Sequence, residues 1–188
     1  MLHCRPLAAR SRILEKLGLS PRSYALMTLH RPSNVDDPAA LSQIVTAIGL
    51  LQERLPIVFP VHPRTLARLD AAHLRATLES LSRVRMLPPT GYLDFLALEE
   101  NARLILTDSG GIQEEAVVLE VPCVTLRDNT ERPVTIESGW NRLAGNDPER
   151  ILATATACLE ETPGHSGIPP LWDGRAAERI ERVLCGFF

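Results

Sequence analysis

The chain has 188 residues, 45% of them hydrophobic, with 20 Lys and Arg against 23 Asp and Glu for a net charge of −3. That is enough chain for one domain with its own core, and the composition excludes a disordered polymer. The near-neutral balance argues against a dedicated nucleic-acid binder, no apolar run approaches the roughly 18 residues of a membrane span, and residues 1–12 hold no secretory h-region.

In chain order, the pattern predicts an opening helix over residues 8–17, ended at Gly18 as a C-cap. Short apolar runs follow at 24–29 (YALMTL), 57–61 (IVFPV), 83–87 (RVRML), 103–107 (RLILT) and 123–126 (CVTL), with a short sixth at 141–144. Consecutive apolar residues in runs this short predict strands buried on both faces, as in a parallel sheet. Helical stretches lie between them, over 38–54, 65–81, 92–101, 110–120, 148–161 and 174–184. The helix over 38–54 has Asp36-Asp37 as its cap and proline in the first turn, and the one over 110–120 is ended by Pro122. The segment 162–173 is rich in Gly and Pro and reads as a loop. The alternation predicts an open, doubly wound α/β sheet, with residues 1–20 as a linker helix and lead-in and 21–188 as one Rossmann-like domain.

The four cysteines, Cys4, Cys123, Cys158 and Cys185, have neither metal-ligand nor redox spacing. They read as buried or half-buried thiols in a reducing cytoplasm. Lys16 is the only lysine among the 20 basic residues, so most arginines here reflect compositional bias and carry no assigned role.

In doubly wound sheets ligands bind beyond the carboxyl ends of the strands, and polar and cationic residues collect there. Asp108-Ser109-Gly110-Gly111 joins a strand to a helix. The two glycines allow a sharp turn and a close ligand approach, and the helix offers unpaired N–H groups to a phosphate. The alternative is a helix entry with Ser109 as its cap, and Asp108 bracing the turn. Glu115, one turn in, can accept from both hydroxyls of a ribose, and one of Glu114 and Glu115 serves only the helix dipole. His30 with Arg31 follows the first strand and His62 the second. Either histidine can exchange hydrogen bonds with phosphate or be an ordinary loop residue. Arg132 can clamp a diphosphate or orient a carboxylate. Phe95 and Tyr92 suit base stacking or core packing.

The strings TLHRPSNVDD, FPVHPRT, LPPTGYLDFL, ILTDSGGIQEEAVVLEVPCVTLRDNTERP and PPLWDGRAAERI together resemble the non-hydrolysing UDP-N-acetylglucosamine 2-epimerases, over most of the chain. Ser33 departs from the Glu that the family commonly carries in its HRxEN segment. The resemblance implies the second Rossmann-like domain of a GT-B architecture, with most catalytic carboxylates in a first domain that this sequence lacks. It implies interconversion of UDP-GlcNAc and UDP-ManNAc by elimination and re-addition of UDP. By resemblance Ser109, Gly110 and Gly111 bind the diphosphate, Glu115 the ribose, and the segment from Thr90 to Phe95 the uracil. His30, Arg31, His62 and Arg132 contact the nucleotide or its phosphates, with His30 as the one catalytic group. It implies no metal or other cofactor. The expected partners are UDP-N-acetylglucosamine or UDP and the missing domain, with a homodimer left open; nucleic acid and membrane are not expected. Little turnover is expected from this chain alone. Competing readings are the second domain of a GT-B glycosyltransferase and a non-catalytic UDP-sugar-binding module.

Overall fold

The apolar runs become six strands: β1 (Ala25–Thr28), β2 (Ile57–Pro60), β3 (Val84–Leu87), β4 (Leu104–Thr107), β5 (Cys123–Thr125) and β6 (Asn141–Leu143). The computed structural model describes residues 1–161 and 167–186, so the start of the predicted 162–173 loop, His165 included, lies outside the described residues. All pairings are parallel, in the order β3-β2-β1-β4-β5-β6. Every residue of β2, β4 and β5 is buried, as continuous apolar runs require, whereas the edge strands β3 and β6 are half-covered. The chain is therefore a Rossmann-like α/β domain, and the order reverses direction between β1 and β4.

Helices cover both faces. One core holds α4 (Pro38–Leu51) and α10 (Pro148–Glu160), with Ile44, Ile48 and Ile151 packed on Met27, Phe59 and Leu106. The other holds α7 (Tyr92–Glu100) and α8 (Gly110–Val118), with Leu96, Leu98, Ala116 and Leu119 against Leu26 and Ile105. Asp37 caps α4 by accepting from the Ala39 N–H at 2.9 Å, as its sequence position predicts. Among the described residues no helix is long and apolar enough to cross a membrane.

Several elements differ from expectation. The opening helix is broken into α1 (Arg5–Ala8) and α2 (Ile13–Leu17). The break sits at Ser11, whose hydroxyl accepts from the Ile13 N–H and donates to Asp94 of α7, so the backbone leaves the helix to reach a tertiary partner. A one-turn helix, α3 (Pro32–Val35), follows β1. The single helix expected over 65–81 is two, α5 (Pro63–Ala71) and α6 (Arg75–Ser80). Two short helices complete the set, α9 (Pro133–Glu137) and α11 (Ala176–Cys185). No residue of α11 is buried, so Cys185 is exposed rather than buried or half-buried; Cys123 and Cys158 are buried and Cys4 is intermediate.

Three helix ends share one hydrogen-bond pattern. Leu19 N–H reaches Leu14 O, Leu74 N–H reaches Leu69 O and Val121 N–H reaches Ala116 O, each spanning five residues. The residue before each donor is left-handed: Gly18 at φ 61°, His73 at φ 57° and Glu120 at φ 55°. Only the first is glycine, the residue that adopts this region without penalty.

The ends of β1, β4 and β5 are tied together by one side chain. Asp108, fully buried just after β4, accepts from the backbone N–H of Arg31 at 2.8 Å and of His30 at 3.0 Å. Asn34 Nδ2 donates to the same carboxylate at 3.3 Å and to Leu126 O, past β5, at 2.8 Å.

Two predictions follow from these backbone and side-chain constraints. His73→Gly and Glu120→Gly, at exposed left-handed positions, should each raise stability by about 0.5–1 kcal/mol, measured as a shift in urea midpoint at constant slope. Asp108→Ala should lose on the order of 3 kcal/mol by orphaning buried donors, and Asp108→Asn, which keeps an acceptor oxygen, should lose less. A loss below about 1 kcal/mol for the alanine variant would contradict the brace.

Candidate functional site

The site builds outward from the start of α8. Ser109 stands at the N-cap position with extended backbone (φ −90°, ψ 125°), yet its side chain makes no capping hydrogen bond. Its own N–H donates to Thr107 Oγ1 at 3.0 Å, and that threonine shares a 2.7 Å hydroxyl contact with Thr28 across the central strand pair. The first turn of α8 thus keeps its N–H groups and its positive dipole end free of a side-chain cap, which suits an anion.

The glycines serve this differently from the expected sharp turn. Neither Gly110 nor Gly111 has a positive φ; both are ordinary helical residues. A Cβ on Gly110 would meet Glu131 Oε2, Arg132 Cγ and Arg31 Nη2 at 3.8–3.9 Å, and one on Gly111 would meet only Ser109 Oγ at 4.0 Å. Local packing would tolerate a methyl at either position. Gly110 is buried and Gly111 is exposed, so the backbone open at the helix end is that of Gly111.

Two arginines flank that end. Arg31 sends Nη2 beside Gly110, 4.0 Å from Glu131, and its buried Nε has no hydrogen-bond partner among the described residues. Arg132, at the N-cap of α9, holds Glu114 of α8 through its Nε at 2.7 Å. Glu131 is itself gripped by Arg127 through two bonds of 2.8 and 2.9 Å, which hold its carboxyl down to about 2. Thr130 anchors the same loop: it accepts from the Arg132 N–H at 3.0 Å and donates to Gln113 Oε1 at 2.5 Å. Gln113 Oε1 also accepts from Asn141 at 3.3 Å, so a buried amide network fixes the loop's distance from α8.

Glu115 lies one turn into α8, half-buried, and accepts from the Tyr92 hydroxyl of α7 at 2.7 Å. Desolvation and this carboxylate both push the Tyr92 phenol up. Ser109, Gly111 and Glu115 line a cavity of about 510 Å³ together with Leu171 and Trp172. A second cavity of about 220 Å³ opens between the ends of β1 and β2, lined by His30, His62, Thr90 and Phe95. The β1–β2 ladder runs from Ala25–Ile57 to Leu26–Val58, while β2–β3 pairing continues to Pro60–Leu87, and the cavity lies in that divergence. Ile112 lines both cavities, which are therefore neighbours across α8.

The two histidines differ in their supports. His30 Nδ1 is 3.1 Å from the buried Asp108, an arrangement that fixes the ring and leaves Nε2 for other partners. His62 is exposed and accepts from the Arg64 N–H at 3.2 Å, which makes it the N-cap of α5. The ring centroids are 6.3 Å apart. Thr90 Oγ1 is buried without a partner, and Phe95 is half-buried beside it in the cavity wall.

The sequence-predicted residues therefore divide among two adjoining cavities and the arginine pair at Gly110. Sequence reasoning missed Asn34, Gln113 and Thr130; of the two roles it left open for Arg132, holding a carboxylate is seen in the pair with Glu114. For Asn34 and Gln113 the signal was a polar residue on an otherwise core-facing position.

Comparison with known proteins fits this geometry. The chain matches the family profile described as UDP-N-acetylglucosamine 2-epimerase over residues 2–185. A UDP-N-acetylglucosamine 2-epimerase of Methanocaldococcus jannaschii is 46% identical over 163 residues, covering 86% of this chain and 44% of that protein. A UDP-2,3-diacetamido-2,3-dideoxy-D-glucuronate 2-epimerase of Pseudomonas aeruginosa is 36% identical over 175 residues, covering 92% and 48%. The crystal structure of the M. jannaschii enzyme in complex with UDP-GlcNAc and UDP superposes with a TM-score of 0.88 at 40% identity, covering 98% of this chain and 51% of that one. This chain thus spans about half the length of the curated relatives it matches. Within those bounds, it belongs to the UDP-N-acetylglucosamine 2-epimerase family, a family of isomerases.

Proposed function

We propose that this chain is the UDP-binding half of an enzyme that interconverts UDP-GlcNAc and UDP-ManNAc. The observation that carries the reading is the uncapped start of α8, with the unpartnered Arg31 Nε beside it and Glu115 one turn further in. The diphosphate sits on the N–H groups of the first turn and on the Ser109 hydroxyl, between Arg31 and Arg132. The ribose lies against Glu115. The uracil enters the neighbouring cavity, where Thr90 Oγ1 offers a hydrogen bond and Phe95 a ring surface.

His30 is the catalytic group in this reading. Asp108 holds Nδ1, so Nε2 faces the leaving diphosphate and assists departure of UDP. His62, already engaged as a helix cap, lines the wall of the same cavity. The 46%-identical relative is named for UDP-N-acetylglucosamine and the 36%-identical one for a UDP-diacetamido-glucuronate, which supports UDP-GlcNAc as the sugar nucleotide here. The groups that move the proton at C2 lie, in this reading, in the part of the family fold that this chain does not span. The family match weighs against a glycosyltransferase.

Calorimetry with UDP and uridine tests the assignment. UDP should bind the chain weakly, since half a cleft neither closes on nor dries its ligand. Glu115→Ala should weaken UDP and uridine alike, and Arg132→Ala should weaken UDP by about 1.5–3 kcal/mol more than uridine. Equal effects of both variants on uridine would contradict these roles. Exchange of the C2 proton in deuterated solvent should be at least about 100-fold slower than in a complete enzyme of the family. Exchange at the full rate, abolished by His30→Ala, would overturn the division of labour.

A further inference from the structure

Two acidic side chains are fully buried, and their surroundings are opposite. Asp108 is ringed by donors, whereas neither oxygen of Glu99 has a hydrogen-bond partner among the described residues. A buried carboxylate without donors is costly to keep ionised. Glu99 lies on α7, seven residues after Tyr92, so two turns of helix bring both side chains to one face. That face meets α8 at Glu115, which takes the Tyr92 hydroxyl on Oε1 and neighbours the Glu99 carboxyl.

Two ionised carboxyls side by side have no hydrogen to share, and a single proton turns that repulsive contact into a hydrogen bond. Glu115 is half-buried and already accepts from Tyr92, so it keeps the charge; Glu99, sealed in the core, takes the proton. Burial first, and the Glu115 charge second, push Glu99 well above the ordinary carboxylate range. The titratable groups that feel Glu99 are Glu115 on α8, Tyr92 on α7 and the Cys123 thiol on β5, and none of them brings a positive charge. The nearby Arg5 is committed to Glu100 at 2.7 Å.

We propose that Glu99 is a positioning residue: as a neutral acid it donates a hydrogen bond to Glu115 and, together with Tyr92, fixes that carboxylate in the orientation a ribose diol requires. The function rests on the reading of Glu115 as the ribose ligand; the proton on Glu99 does not. A proton held by the folded state has a stability consequence of fixed sign. Its folded pKa lies above the unfolded value, so the wild type is favoured at low pH and loses stability as pH rises through the ordinary glutamate range towards the folded pKa. Glu99→Gln, which keeps the donor and has no proton to lose, escapes that loss.

The test uses the full chain, its Glu99→Gln, Glu99→Leu and Glu115→Ala variants, and uridine and UDP as probes. In carboxyl-labelled wild type, one glutamate signal, absent from Glu99→Gln, should still report a protonated acid at pH 7. A Glu99 signal that titrates in the ordinary glutamate range would overturn the proposal outright. Glu99→Gln should bind uridine within about 2-fold of wild type at pH 7 and gain stability over wild type increasingly as pH rises above 5. Glu99→Leu, buried but without a donor, should bind both probes about 10-fold more weakly, the equivalent of a lost hydrogen bond. Leucine and glutamine variants that bind alike at every pH would reduce Glu99 to packing. Should Glu115→Ala leave uridine binding unchanged, the ribose reading fails and the positioning role with it, while the carboxyl signal still decides the proton.

Discussion

The strand exits at the C-terminal edge of this sheet are held together by one buried carboxylate. Parallel strands diverge as they leave a sheet, and nothing in their ladder holds the loops beyond them. Asp108 supplies that hold by taking the N–H groups of His30 and Arg31, and through Asn34 it also reaches the carbonyl that ends the β5 run. Three strand exits are thereby fixed relative to the start of α8. The same carboxylate orients the His30 ring, so the placement of that ring and the stability of the fold share one set of hydrogen bonds. A substitution there cannot alter one without the other.

Charge is managed by pairing around this edge. Arg127 clamps Glu131, Arg132 holds Glu114, and Gln113 with Thr130 sets how far the loop between them stands from the helix. Arg31 makes only a 4.0 Å approach to Glu131, and its buried Nε has no hydrogen-bond partner among the described residues. An incoming diphosphate can engage Arg31 without breaking the Arg127–Glu131 or Arg132–Glu114 pair. Preorganised donors of this kind lower the cost of binding, because less must be ordered when the ligand arrives.

Strand and helix order were legible because period and run length are local properties. Ile57–Pro60 and Leu104–Thr107 show as buried strands from their apolar runs alone. Gly18 marked its helix end because glycine advertises a left-handed residue; His73 and Glu120 take the same conformation without that mark, so one break was missed and one stop was credited to Pro122. The Ser11 break was hidden for another reason, since its cause, Asp94, is 83 residues away. At the candidate site, the proposed ligand-binding residues sit at strand ends, where position alone singles them out. Asn34, Gln113 and Thr130 were not found in this way, because their function lies in pairings that exist only once the sheet is assembled. Of the two reasons the sequence offered for Gly110 and Gly111, the sharp turn does not hold, since neither has a positive φ.

A crystal structure of this chain soaked with UDP bears most directly on the claim that the start of α8 is the diphosphate site. The account predicts phosphate oxygens within hydrogen-bonding distance of the Ser109 hydroxyl and the first-turn N–H groups, with Arg31 Nε engaged and both ribose hydroxyls on Glu115. A nucleotide seated instead in the polar cavity of about 320 Å³ lined by Asn34, Arg127 and Asn146, with Ser109 untouched, would contradict it.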